Sequence, residues 1–269
     1  LHFKLNELCK LQKDNFVLDN TYPTIASRKL AIKVAKDNGY EIECWTMSTT
    51  IEEAQVNIVS RMIERYGKML SPEEIKKSVD SNMFPPTVIF KYKKEFQKPT
   101  TAEGFDKVIT LQFKRNKKDY TNKAVIVDYD GTLRETLNGD KYPTNVDNIK
   151  ILPNRKEVLE KYKALGYLIL GVSNQSGIAK GHLSEQVAKD CFKKTNELLG
   201  MDIDVRYCSH SIPPIVCYCR KPMPGLGVSL IEQYKLNAEE CIMVGDMTTD
   251  KTFAQRSGFK FIDQEEFFK

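Results

Sequence analysis

Residues 123–133 read KAVIVDYDGTL. Ala124 to Val127 are four apolar residues fit for a sheet interior, and they run straight into Asp128 and Asp130 with one tyrosine between. In an extended chain residues i and i+2 point to the same face, so the two carboxylates reach one place. Two such charges are stable together when a cation sits between them or when one keeps its proton. Gly131 then permits a sharp turn out of the strand. The plain alternative is a strand ending in a polar turn, and the rest of the chain decides between them.

From Asn122 onward, short apolar runs alternate with amphipathic ones: KAVIVDYD, VLEKYKALG, YLILGVSNQ, LSEQVAKDCFKKTNELLG, VRYCSH, GVSLIEQYKL and ECIMVGD. Read as strand, helix, strand, helix, strand, helix, strand, they predict an α/β domain with a Rossmann-like parallel sheet covered by helices on both faces. Ligands of such sheets bind beyond the carboxyl ends of the strands. Three further strand ends carry polar residues. LILGV leads into Ser173, Asn174 and Gln175, CRKP supplies Arg220 and Lys221, and CIMV ends in GDMTTD with Asp246 and Asp250. The sheet geometry predicts that all of these converge on the acid pair.

The order DxDGT, SN, K, GDxxxD resembles the four motifs of the haloacid dehalogenase superfamily of phosphotransferases. That resemblance spans about the last 150 residues and implies specific roles. Asp128 is implied as the nucleophile that becomes an aspartyl-phosphate, splitting one displacement into two. Asp130 is implied to protonate the leaving oxygen and then deprotonate water. Mg²⁺ would be held by Asp128, Asp246 and the backbone carbonyl of Asp130, an all-oxygen set suited to that ion, with Asp250 orienting the others. Ser173 and Lys221 would hold the transferring group, with Thr132, Asn174 and Arg220 as further phosphate contacts.

Three of the seven cysteines cluster with a histidine. Cys208-Ser-His210, six residues, then Cys217-Tyr-Cys219 is C-x-H-x6-C-x-C, a donor set for a closed, tetrahedral, structural Zn²⁺. This points to metal in a reducing compartment rather than to secreted disulfides. Cys44 and Cys241 lie in apolar runs, where a buried thiol is ordinary. Together with SNQSGIAKG, the loop resembles the superfamily branch of histidinol-phosphate and heptose bisphosphate phosphatases, which typically lacks a large cap domain. Here only RETLNGDKYPTNVDN separates the first strand from the next helix, so no cap is expected.

The first half alternates more loosely. DNFVLDNTYP is read as a strand before a proline turn, SRKLAIKVAKDNGY as a helix, EIECWTMS as a strand, TIEEAQVNIVSRMIERYG as a long helix, and TVIFKYKKEF and KVITLQFKRN as later strands. KRNKKDYTNK (114–123) is the expected linker, giving domains 1–121 and 122–269. The segments DNTYPTIASRKL…SRM and FQKPTTAEGFDKVITLQF resemble the later part of the P-loop kinase domain of polynucleotide kinase-phosphatases, and GDKYPTNVDNIKIL resembles a stretch those enzymes carry after their acid motif. The phosphate-binding G-x-x-x-x-G-K-[ST] itself is missing: Gly67-Lys68 is followed by Met. The expectation is a kinase-like domain without its loop, either because a chain starting at Leu1 lacks its true start or because the kinase is dead, and no phosphorylation by this chain. Asp19, Arg61 and Arg65 remain as kinase-remnant candidates, against their plainer reading as a turn acid and solvated helix arginines.

The chain has 269 residues and a formal charge of +5. Residues 1–122 carry 21 Lys+Arg against 16 Asp+Glu, so the whole excess lies in the first half, densest at KYKKEFQK (91–98) and KRNKKD (114–119). Such runs are ordinarily solvated faces; the functional alternative is a polyanion surface. No stretch of about 18 uncharged apolar residues and no signal peptide is present, which predicts an intracellular, cytoplasmic protein without membrane partners. The leading expectation is a Mg²⁺-dependent polynucleotide 3′-phosphatase whose partner is nucleic acid with 3′-phosphate ends. The alternatives are a small-molecule phosphatase of the histidinol-phosphate or sugar phosphate type, and a non-catalytic module that binds nucleic-acid ends.

Overall fold

The computed structural model describes residues 15–113, 118–212 and 216–269, together with Leu5, Glu7 and Cys9. Contacts group the chain into two units, Leu1–Ile51 with Thr87–Asn116 and Glu52–Pro86 with Lys117–Lys269. Residues 52–86, which precede the boundary drawn from sequence at 121/122, thus pack with the second half. The expected linker lies partly outside the described residues.

Helix α1 (Ile25–Asp37) begins at Thr24, whose side chain accepts from the Ser27 N–H while the Ser27 hydroxyl oxygen accepts from the Thr24 N–H. That reciprocal cap satisfies two otherwise orphaned donors. Strand β1 (Glu43–Met47) is followed by α2 (Ile51–Tyr66), α3 (Pro72–Lys77) and α4 (Pro86–Glu95) before β2 (Lys107–Leu111) pairs in parallel with β1. Two expectations fail here. Residues 15–24 contain no strand, so Asp19 sits exposed in irregular chain rather than at a strand end. TVIFKYKKEF is helix α4, not a strand. Pro86 at the first helical position presets its φ, and Ile89 finds a buried place on one face, so packing overrides the strand preference of Val and Ile. A two-stranded parallel sheet does not by itself define a P-loop kinase fold.

In the second unit β3 (Ala124–Val127) is followed by a small antiparallel pair, β4 (Arg134–Glu135) and β5 (Lys150–Ile151), and then by α5 (Arg155–Ala164). The segment expected to lack a cap therefore folds as a short hairpin. Next come β6 (Leu168–Asn174), α6 (Ser176–Ala179), α7 (Glu185–Leu199), β7 (Asp204–Cys208), α8 (Gly225–Tyr234), β8 (Ile242–Gly245), α9 (Thr248–Ser257), β9 (Lys260–Asp263) and α10 (Gln264–Phe267). The five long strands form one parallel sheet in the order β7-β6-β3-β8-β9.

All four residues of β3 are fully buried, as a central parallel strand requires. Their side chains alternate between two cores. Ala124 and Ile126 join Leu170, Val172, Met243 and Leu230 on one face, while Val125, Val127 and Tyr129 join Leu159, Phe192 and Val244 on the other. Because β3 has β6 on one side and β8 on the other, the order in which strands are added reverses at β3, and such sheets open a crevice at the carboxyl end of that strand. Among the described residues no helix is long and apolar enough to cross a membrane.

Gly171 on β6 faces Tyr129, and a Cβ added there would lie 2.6 Å from the tyrosine ring. The ring is fully buried and its hydroxyl donates to Asn196 Oδ1 at 2.7 Å, so it has little room to yield. Gly171→Ala should therefore destabilise the fold by about 1–3 kcal/mol, read as a lower urea midpoint at unchanged slope; an unchanged midpoint would show that the ring moves freely.

Candidate active site

Asp128 follows the last residue of β3, and its N–H still donates to Val244 O at 3.0 Å, so the sheet ladder fixes the backbone of the first acid. Tyr129 turns into the opposite core, which leaves Asp128 and Asp130 on the side away from it. Gly131 has φ +87°, and a Cβ there would come 2.6 Å from Asp246 Oδ2. Only glycine takes this left-handed turn readily and lets the end of β8 approach so closely.

Lys221 is the hub of the site. Its ammonium is buried and lies 2.8 Å from Asp128 Oδ1 and 2.7 Å from Asp250 Oδ1, with Val172 O at 3.3 Å. Asn174 fixes the lysine backbone from both sides: its Nδ2 donates to Lys221 O at 3.0 Å and its Oδ1 accepts from Lys221 N at 2.9 Å. The Asn174 amide is thus engaged with the Lys221 main chain rather than turned toward a phosphate. Thr132 Oγ1 donates to Asp246 Oδ1 at 3.3 Å. Carboxylate oxygens of Asp128, Asp246 and Asp250 lie within 4.8 Å of one another, with Asp246 exposed. This is a hard, anionic donor set with an open side, as a hydrated divalent cation requires.

The convergence expected from the sheet is found for Asp128, Lys221, Asp246 and Asp250, and Asp130 and Ser173 are joined to each other by Gln175, which the sequence offered as part of the polar strand end but without this role. The Nε2 of Gln175 donates to both Asp130 Oδ2 and Ser173 Oγ, each at 2.9 Å. Asp130 Oδ1 accepts from Arg134 Nε at 2.8 Å, an ion pair also absent from the sequence reading. Arg134 stands four residues after Asp130 and Gln175 two after Ser173, spacings that carry no signal until the turn and the strand end are folded. Arg220 is half-buried, and among the described residues its Nη1 has no hydrogen-bond partner although it is shielded from solvent. Of the kinase-remnant candidates, Arg65 pairs with Asp80 and Arg61 is half-buried on α2; Lys68, of the Gly67-Lys68 pair that is no phosphate-binding loop, pairs with Glu74.

Electrostatics follows from burial. Desolvation pushes the Asp128 carboxyl up to about 7 against the opposing pull of the Lys221 ammonium. Burial also raises Asp246. Burial alone would lower Lys221, yet the flanking carboxylates of Asp128 and Asp250 outweigh it and hold the ammonium above its ordinary range.

Behind Lys221 the four predicted soft ligands meet. Cys208 Sγ lies 3.4 Å from His210 Nδ1, 3.6 Å from Cys217 Sγ and 3.2 Å from Cys219 Sγ, and His210 Nδ1 is 3.2 Å from Cys219 Sγ. Four ligands about 2.3 Å from a tetrahedral zinc would stand about 3.7 Å apart, so this cluster is slightly contracted around the right centre. Hydrogen bonds inside it hold the Cys217 thiol low and push Cys208 and Cys219 up. Tyr218, between two of the cysteines, is buried, and its hydroxyl donates to Phe84 O at 3.0 Å.

A carboxylate on a buried lysine, with a second carboxyl and a hydroxyl nearby at the crevice of a parallel sheet, is an arrangement suited to phosphoryl-transfer chemistry. The family model described as Polynucleotide kinase 3 phosphatase matches residues 123–268, more than half of the chain, and the chain belongs to that family. Over these residues it is a haloacid dehalogenase superfamily phosphatase, a phosphoric monoester hydrolase. It is 32% identical over 146 residues to the D-glycero-alpha-D-manno-heptose-1,7-bisphosphate 7-phosphatase of Photorhabdus laumondii, covering 51% of this chain and 78% of that one. It is 34% identical over 144 residues to the probable D-glycero-D-manno-heptose-1,7-bisphosphate 7-phosphatase of Thermoplasma volcanium, covering 52% and 96%. Among solved structures, the D,D-heptose 1,7-bisphosphate phosphatase of B. bronchiseptica complexed with magnesium and phosphate aligns at a TM-score of 0.47 and 24% identity, covering 52% and 78%.

Because the folded pKa of Asp128 is raised, the native state holds a proton that the unfolded chain releases near pH 4. Its stabilising share is complete below that pH and is lost as pH rises through about 7. In chelator-treated protein, wild type should therefore lose urea resistance relative to Asp128→Asn between pH 5 and 8. A difference that stays flat over that range would contradict the buried, proton-holding carboxyl.

Proposed function

We propose that the chain hydrolyses phosphate esters of sugar hydroxyls through an aspartyl-phosphate on Asp128. The observation that carries this reading is the Asp128 carboxylate held on the buried Lys221 ammonium beside Asp246 and Asp250. An oxygen of Asp128 attacks phosphorus, the ester P–O bond breaks, and Asp130 gives its proton to the departing oxygen. Asp130 then takes a proton from water, whose oxygen bonds to phosphorus as the bond to Asp128 breaks and phosphate leaves. Ser173, Lys221 and the unpartnered edge of Arg220 offset charge on the phosphoryl oxygens. Asn174 keeps Lys221 in place, and Thr132 steadies Asp246. Asp128, Asp246 and the Asp130 carbonyl would hold Mg²⁺, which supplies charge neutralisation at those oxygens; Asp250 acts on it through Lys221.

Small sugar phosphates are the leading substrate class. The relatives reported above carry the names of heptose bisphosphate phosphatases. The second reading, a 3′-phosphate on a nucleic acid end, is supported by the family match and by the solvent-facing Lys91, Lys93, Lys94 and Lys98 on and after α4. Zinc bound by Cys208, His210, Cys217 and Cys219 would stiffen the loop that delivers Arg220 and Lys221.

Three measurements check this. Asp128→Asn should reduce Mg²⁺-dependent phosphate release to background while keeping the thermal transition; turnover equal to wild type would remove the mechanism. Among heptose bisphosphate, histidinol phosphate and a 3′-phosphorylated oligonucleotide at matched low salt, the heptose bisphosphate should have the highest kcat/KM. A tenfold preference for the oligonucleotide would install the second reading. Metal analysis should find about one zinc per chain, falling in Cys219→Ser; a metal-free but fully active preparation would exclude the zinc loop.

A further inference from the structure

Asp130 stands immediately before Gly131's left-handed hinge, past the end of β3, where its side chain would swing freely if nothing held it. Instead each of its oxygens has a donor. Arg134 Nε reaches Oδ1 at 2.8 Å and Gln175 Nε2 reaches Oδ2 at 2.9 Å. Arg134 is itself immobilised. It is 2% exposed, its Nη1 donates to Cys191 O at 2.7 Å and Thr195 Oγ1 at 2.8 Å on α7, and its guanidinium lies 5.4 Å from the Tyr129 ring and 5.2 Å from the Phe192 ring. The turn closes on it as well, since Gly131 N–H donates to Arg134 O at 2.9 Å. An arginine buried this deeply needs acceptors for its donors, and among the described contacts Asp130 is the one carboxyl that serves it.

We propose that Arg134 is a positioning residue for the proton transfer at Asp130, anchoring the carboxyl to α7 while Gln175 ties its other oxygen to Ser173. This rests on the phosphatase reading above and deepens it. In phosphoenzyme formation the ester bond breaks, its electron pair goes to the ester oxygen, and that oxygen takes the Asp130 proton and leaves as an alcohol. The proton moves efficiently only if the acid stands within hydrogen-bond reach in the transition state, an arrangement worth about 10²–10⁴ in rate. A leaving group stable as an anion does not need that proton. Loss of Arg134 should therefore discriminate between leaving groups, which a residue serving the fold alone would not do.

The test compares kcat/KM, which covers the chain of steps through phosphoenzyme formation, for glycerol 2-phosphate and p-nitrophenyl phosphate in wild type and Arg134→Met. The variant should lose at least about tenfold more on the alkyl ester than on the nitrophenyl ester. Equal losses on both would overturn the inference. If Arg134→Met shows no cooperative unfolding transition, Gln175→Leu is read in the same way, and equal losses there overturn it. A wild type that cleaves neither ester would remove the phosphatase reading and the inference with it.

Discussion

A single ammonium, that of Lys221, is sealed from water between two carboxylates that arrive from different strand ends, Asp128 after β3 and Asp250 one turn into α9. Each partner makes the others tolerable. An isolated buried charge is prohibitive, and removing one member of such a pair costs about 3–5 kcal/mol because the survivor is left uncompensated. With two acids and one base the balance remains negative, which leaves the crevice suited to a cation, while burial, with a smaller push from Asp250, raises the Asp128 carboxyl.

Much of the surrounding architecture serves to bring these groups together. The β3 ladder delivers Asp128 at fixed height, and Gly131 lets Asp246 approach from β8. Asn174, at the end of β6, grips the Lys221 main chain, so three strand ends and one loop are locked to one another by short hydrogen bonds. The thiol cluster stands just upstream of Lys221, and Tyr218 within it reaches Phe84, which is why residues 52–86 group with this half of the chain. Ser60 on α2 donating to Glu232 on α8 at 3.0 Å is a second tie of the same kind.

The two acid pairs and the lysine were legible because strand alternation and parallel topology dictate where strand ends go, and the soft ligands because Cys208, His210, Cys217 and Cys219 stand at metal-ligand spacing. Period-two alternation put Asp128 and Asp130 on one side. Arg134 was not legible, because it meets Asp130 only once the turn closes, and Gln175 was legible only as a polar residue at the end of β6, because its partner Asp130 lies 45 residues away. Asn174 was read for its chemistry as a phosphate ligand, whereas its contacts make it a clamp. The strand assigned to TVIFKYKKEF failed for a different reason: β-branched residues describe a preference that a proline start and one buried face overrule. Asp19 failed with the strand that was to carry it.

Covalent phosphorylation of Asp128, proposed above, can be caught by acid quench within the first turnover of a phosphate-labelled sugar phosphate, followed by peptide mapping. Label is expected on the peptide containing Asp128, and it should be lost on treatment with hydroxylamine, which cleaves acyl phosphates. Label-free protein at a time when phosphate is already being released would mean that water attacks the ester directly, and the nucleophile assignment would fall.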